Sequence, residues 1–302
     1  MKRLAILPAI LWAIIACRVD GGFVDQSFQT IRCDTNGYFV RNLCDDERKL
    51  LERAEAFSQY PTLADLNRET LRELTQTTDV DFAAAVFYTR VLRDAKNRRF
   101  YEYLERKEPA LTKSSPPDYS GSTLLLLIVP GMCYADNPTF GADGRNLREL
   151  ALQLGLKEDL VRTDQTGHVQ DNGRQVCRYI ANRQDVNGII LASTSKGGSD
   201  IKEAIRQCGD EDYFRRVIGW YISGGITRGS RLVNDIEDSC DTRTEARAYF
   251  CWYGYNYDGL LSIRHGEDAP LNYDLKIPDD MLVINDIGVP MQRQVTQRAR
   301  PY

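Results

Sequence analysis

The stretch IILASTSKGGSDIKEAI, Ile189–Ile205, runs from an apolar segment directly into a helical pattern. Gly188–Ser193 reads as a strand and a helix begins near Gly197, leaving only a tight turn between them. Ser195 sits on that turn, and its neighbours decide whether it is a nucleophile or one more serine in a glycine-rich loop. A strained strand-to-helix turn needs small residues two before and two after the strained one, because backbone and helix approach closely there. Ser193 and Gly197 fill those places, and Gly198 lets the helix start hard against the strand. The Ser195 hydroxyl is then expected above the C-terminal strand edge, where open α/β sheets place their sites. The Lys196 backbone N–H, opening the helix, would face an oxyanion formed on a substrate carbonyl. The expected second donor is the Met132 N–H in Pro130-Gly131-Met132-Cys133, which follows the apolar run TLLLLIV.

Working outward, Thr123–Val129 is apolar throughout, which suits a strand buried on both faces of a parallel sheet. RNLRELALQLG reads as a helix ending at Gly155, 159–163 as a short strand, and DNGRQVCRYIANR as a second helix. RRVIGWYISGG, Arg215–Gly225, and DMLVIND, Asp280–Asp286, add two strands. This alternation predicts an α/β fold, a mostly parallel sheet with flanking helices. Ahead of it, residues 45–108 read as helical: DDERKLLERAEAF, TLADLNRETLRELTQ and DFAAAVFYTRVLRDAKNRRFYEYLERK. In the last, Phe82, Val86, Tyr88, Val91 and Leu92 lie near one face, and Arg90, Arg93, Lys96, Arg98 and Arg99 are expected to solvate the other. The predicted organisation is a signal segment over 1–16, a lipidated N-terminus with a helical region over 17–108, a Pro/Ser-rich linker over 109–122 and the α/β domain over 123–302.

The chain has 302 residues, net charge -4 and pI about 5.4, with no long basic run, so nucleic acid is not an expected partner. MKRLAILPAILWAIIAC opens with Lys2 and Arg3, then an apolar stretch from Leu4 to Ala16 that is too short to span a bilayer comfortably. Ile14-Ile15-Ala16-Cys17 resembles a bacterial lipobox, in which Cys17 is diacylated and becomes the mature N-terminus. A plain export signal or an uncleaved anchor is the alternative. The reading places the protein in the cell envelope, held by lipid; Arg18 after the cysteine favours an outer membrane if the source is Gram-negative. Outside the cytoplasm some of the remaining seven cysteines should pair. Cys33 with Cys44 and Cys240 with Cys251 could each close a short loop; of Cys133, Cys177 and Cys208, at least one must stay unpaired. No Cys or Cys/His spacing suggests zinc, and no Gx4GK[ST] or GxGxxG precedes a helix, so neither a metal nor a cofactor is expected.

Around Ser195 the sequence resembles the α/β-hydrolase superfamily of serine lipases and esterases, whose nucleophile sits in a G-x-S-x-G elbow. STSKGG departs from it with Ser193 for the first glycine and Thr194 where histidine is frequent. IVPGMCYADNPTFGADG, TGHVQDN, ASTSKGGSDIKEA and IPDDMLVINDIGVP, in that order, are similar to bacterial hydrolase-like proteins with an S-x-SKGG elbow. The similarity spans about 123–302 and implies a serine hydrolase acting on an ester or lipid-like substrate. It also implies an acid after a late strand and a histidine after the last. Beyond Asp286 the sequence IGVPMQRQVTQRARPY has no His, Asp or Glu, so the chain is expected to be short at its C-terminus or its triad differently assembled.

Two histidines are available. His265, in SIRHGEDAP among Asp258, Glu267 and Asp268, is the in-chain base candidate, or else a loop histidine. His168 reads as structural. A Ser-Lys arrangement through the Lys196 side chain would need a buried amine of lowered pKa. The aromatic segment SCDTRTEARAYFCWYGYNYDG is either a cap lining an apolar pocket or a disulfide-tied loop packed on the sheet. The alternative to a hydrolase is a non-catalytic surface lipoprotein, a binding module on the same scaffold. Anion binding at Gly197-Gly198 is the third reading.

Overall fold

The computed structural model describes residues 45–113 and 115–288, in two compact units, 45–116 and 117–287. Cys17, Cys33 and Cys44 lie outside the described residues. Among the described residues, no helix is long and apolar enough to cross a membrane.

Residues 45–116 are helical: α1 (Asp45–Ala56), α2 (Arg68–Thr77), α3 (Val80–Arg93) and α4 (Ala95–Lys113). Asn67 starts α2 with a capping box, accepting from the Glu69 and Thr70 N–H groups while Thr70 Oγ1 accepts from Asn67. Phe82 and Val86 enter the core with Ala54, Leu74, Ala83 and Ala85, whereas Tyr88, Val91 and Leu92 are half-buried. Arg90 is a correction. It is fully buried, and its guanidinium donates to the carbonyls of Tyr60 (2.6 Å), Ala54 (3.2 Å) and Phe57. Carbonyls at and just past the α1 C-terminus have spare accepting capacity, and a planar five-donor fork satisfies several at once.

Residues 117–287 form an all-parallel five-stranded sheet flanked by helices. The strands are β1 (Leu124–Val129), β2 (Lys157–Leu160), β3 (Gly188–Thr194), β4 (Val217–Ser223) and β5 (Leu282–Asp286), in the order β2-β1-β3-β4-β5. Strand β2 begins two residues before the span expected from the sequence. The apolar run of β1 has a direct cause. Leu125, Leu127 and Val129 enter one core with Ile189 and Leu191, while Leu126 and Ile128 enter another on the opposite face with Ala192. Helices α5 (Arg145–Gln153), α6 (Val169–Asn182) and α7 (Lys196–Cys208) connect the first four strands.

Cys177 of α6 and Cys208 of α7 are joined by a disulfide, with Cα atoms 6.2 Å apart. Between β4 and β5 lie α8 (Arg231–Asp238), α9 (Cys240–Tyr253) and α10 (Tyr257–Leu261). Here the expected Cys240–Cys251 pairing fails: both thiols are free and exposed. They sit on one helix, where eleven residues of rise separate them by about 16 Å, and a disulfide needs Cα atoms within about 7 Å.

Candidate active site

Ser195 occupies the N-cap of α7 with φ 49° and ψ -123°, outside the regions an L-residue favours. Among the described residues only one other non-glycine has positive φ, Cys133 at 57°. The close approach inferred from Ser193 and Gly197 is present. A Cβ on Gly197 would lie 2.2 Å from the Val129 carbonyl oxygen, so α7 starts directly against the end of β1. A Cβ on Gly131 would lie 3.3 Å from Ser195 Cβ, which sets the Pro130–Cys133 turn beside the serine. Gly198 abuts Gly225 of the segment after β4.

Several hydrogen bonds fix this turn. The buried Ser193 Oγ accepts from Trp220 Nε1 at 3.0 Å, and Thr194 Oγ1 donates to the Ala142 carbonyl at 3.2 Å. The Ser195 carbonyl accepts from the N–H groups of Gly198 (3.1 Å) and Ile226 (3.0 Å). Neither the Lys196 N–H nor the Met132 N–H has an acceptor among the described residues. Ser195 is half-buried, and no described side chain hydrogen-bonds its hydroxyl.

The first ten residues of α7 are buried all round, so its polar side chains must find partners inside. Lys196 does not serve the serine. Its Nζ lies 2.9 and 3.0 Å from the two Asp200 oxygens, each side chain 1% exposed. Burial pushes the Asp200 carboxyl up to about 6, against the pull of Lys196 and of the Asn172 amide, which donates to it at 3.0 Å. Lys202 donates to the carbonyls of Thr227 (2.9 Å), Leu271 (2.8 Å) and Tyr273 (2.7 Å), and burial lowers its pKa to about 8. Ser195, Ser199 and Lys202 follow helical spacing, and all three hold the 226–227 segment, Ser199 Oγ donating to the Ile226 carbonyl. Sequence reasoning missed Asp200 and Lys202. Charged residues inside a helix whose every face is covered were the available signal.

His265 lies in the loop after α10. Its Nδ1 is 3.0 Å from the Arg228 carbonyl oxygen, and its own backbone is held by Asn234 on both sides. His168 is the N-cap residue of α6, its carbonyl accepting from Asp171 and Asn172. The aromatic segment forms α9 and α10 rather than a disulfide-tied loop. Phe250 is buried in a cluster with Val169, Leu260 and Leu271, against which Met132, Tyr249, Tyr255 and Tyr257 pack. Trp252 is 82% exposed. Among the described residues no group of His, Cys, Asp or Glu has the arrangement of a metal site.

No protein-family model matches this sequence, and no curated protein matches it. Among crystal structures, the metagenomic carboxyl esterase MGS0156 is 22% identical with TM-score 0.33, over 40% of this chain and 36% of that one. The Bacillus licheniformis lipase BlEst2 in propeptide form is 18% identical with TM-score 0.40, over 57% and 37%. Its mature form is 21% identical with TM-score 0.37, over 49% and 56%. The chain spans from about a third to just over half of the length of these structures. Residues 117–287 fold as a five-stranded parallel sheet with helices on its flanks and Ser195 on the β3–α7 turn.

Proposed function

We propose that the protein is a serine hydrolase of the esterase or lipase type, with Ser195 as nucleophile. The observation that carries this reading is the backbone of Ser195, a non-glycine residue at φ 49° and ψ -123° on a strand-to-helix turn. A plain tight connection or an anion-binding loop has no use for that strain at a serine, and glycine would relieve it. The N–H groups of Lys196 and Met132, without acceptors among the described residues, add support for an oxyanion site. In this reading Ser195 Oγ attacks the ester carbonyl carbon while a base takes the hydroxyl proton. The oxyanion accepts from Lys196 and Met132, each donor supplying about 3 kcal/mol. Collapse of the tetrahedral species expels the alcohol, which receives the proton, and water then releases the acid by the same route.

His265 is the base assigned within this chain. Its Nδ1 lies 3.0 Å from the Arg228 carbonyl oxygen, and in this reading the ring takes the serine's proton at Nε2. The assignment requires the loop after α10 to bring Nε2 to the serine. Export with diacylation at Cys17 belongs to the same proposal, and the Cys177–Cys208 disulfide supports an oxidising compartment. The substrate is then an ester or lipid-like molecule met at the membrane.

The second reading, a non-catalytic binding lipoprotein, is favoured by the Ser195 hydroxyl having no hydrogen-bonded base among the described residues. A fluorophosphonate probe separates the two. The hydrolase reading expects covalent labelling of the wild-type chain at Ser195, lost in Ser195→Ala and at least about 100-fold slower in His265→Ala. A folded wild-type chain that is not labelled sinks it, and labelling that His265→Ala leaves unchanged removes His265 from the mechanism.

A further inference from the structure

The turn that carries Met132 is gripped from two sides by groups that serve no purpose in the chemistry just described. Asp136 Oδ2 accepts from the Tyr255 hydroxyl at 2.6 Å and from Gln165 Nε2 at 2.5 Å. Gln165 Oε1 accepts from the backbone N–H groups of Ala135 (3.1 Å) and Asp136 (3.3 Å), and the Gln165 carbonyl accepts from the Cys133 N–H at 3.3 Å. Three separate parts of the chain therefore meet on five residues: the loop after β1, the loop after β2 and the junction of α9 and α10. Tyr255 is also held by its aromatic neighbours, stacked on Tyr253 at 5.6 Å and edge-to-face with Phe250 at 5.8 Å between ring centroids.

What this grip does follows from Cys133. That residue is left-handed at φ 57° without being glycine. Such a conformation costs about 1 kcal/mol and persists only where the surroundings over-determine it. Rotation at Cys133 sets the path of the chain on either side, and the residue immediately before it is Met132, whose N–H has no acceptor among the described residues. We propose that Asp136, Gln165 and Tyr255 form a clamp that positions the Met132 amide beside Ser195, with Tyr255 transmitting the seating of the α9–α10 cap to that amide. The three are positioning residues, since none touches Ser195. The inference rests on the hydrolase reading for its catalytic consequence, but the mechanical coupling stands on the contacts alone.

The discriminating variant is Tyr255→Phe. It removes one hydroxyl on the cap and no acceptor from any backbone amide of the turn. Two measurements are made on the full chain. Hydrogen exchange is expected to quicken about fivefold or more at the amides of Cys133, Ala135 and Asp136, with the amides of β1 and β3 unchanged. For an ester that the wild type hydrolyses, kcat is expected to fall about tenfold with KM within about twofold, the signature of a donor displaced from the transition state rather than from the bound substrate. Should Tyr255→Phe fail to fold, Asp136→Asn keeps the volume and one acceptor oxygen, and is read the same way. Unchanged exchange at the turn overturns the clamp whether or not the wild type is an enzyme. Faster exchange with unaltered kcat in an active enzyme overturns the positioning of Met132. A wild type without hydrolysis or labelling overturns the hydrolase reading and, with it, the positioning role, while exchange still decides the coupling.

Discussion

At the scale of single residues, the clearest statement the chain makes is that it tolerates strain at Ser195. At φ 49° a serine suffers the clash of its Cβ with the neighbouring carbonyl, and a glycine there does not. Ser195→Gly should therefore raise the stability of residues 117–287 by about 1 kcal/mol while abolishing probe labelling. Chemical denaturation of the two proteins checks it. A Ser195→Gly variant that is less stable than wild type would mean that the serine side chain contributes packing or hydrogen bonding absent from the contacts described above. The turn was legible in the sequence because every requirement of it is local: Ser193 and Gly197 are two residues either side of the serine, and the strand and helix abut. Arg90 was not legible. In the sequence it is one basic residue among five along 90–99, and only the carbonyls of Tyr60, Ala54 and Phe57, brought from elsewhere, make it a core residue.

At the scale of elements, α7 carries more buried charge than the tight turn at Ser195 requires. The Lys196–Asp200 pair spans one turn directly beneath the elbow, almost wholly removed from water. Attraction in that setting offsets desolvation only while both partners are present. Lys196→Met, which leaves the Asp200 carboxylate buried without its partner, should cost about 3–5 kcal/mol, and the double variant Lys196→Met/Asp200→Leu markedly less. The pair also has a pH signature. The Asp200 carboxyl titrates at about 6 in the folded chain against 3.8 when unfolded, so the folded state takes up its proton first. The resulting stabilisation is complete below about pH 4 and is lost as pH rises through about 6, amounting to about 3 kcal/mol at most. Denaturation midpoints from pH 4 to 7 should show this decline in the wild type and not in the double variant; parallel profiles would remove Asp200 as its source. The strands and helices themselves were readable, since continuous apolar runs and 3.6-residue periodicity are properties of the segment. Pairings across the fold were not. Cys177 finds Cys208 across 31 residues and Tyr255 finds Asp136 across 119, and nothing within either segment signals the other.

At the scale of the whole molecule, each of the two units has buried apolar residues of its own. Ala54, Leu74, Phe82, Ala83, Ala85 and Val86 pack with one another, while the sheet buries Leu125, Leu127, Ile189, Leu191, Val217 and Trp220 with its own helices. Each unit thus satisfies its apolar surface from within, the condition for a domain that folds by itself. The junction matches the change of sequence grammar: residues 115–118, Ser-Pro-Pro-Asp, are exposed and in neither helix nor strand. Just beyond them the chain is tied down again, Tyr119 donating its N–H to the Leu154 carbonyl at 2.7 Å and Ser120 its own to Asp118 Oδ1 at 2.9 Å. Cleavage needs several residues of extended, unbonded backbone, and this segment combines exposure with the absence of a ladder or helix to hold it. Brief digestion with a protease of broad specificity should therefore cut first at 115–118, yielding a C-terminal fragment that resists further digestion and retains Ser195 reactivity toward the probe. First cuts inside β1–β5, or rapid loss of the C-terminal fragment once the junction is cut, would show that the sheet depends on the helical unit for its stability and that the two units fold as one.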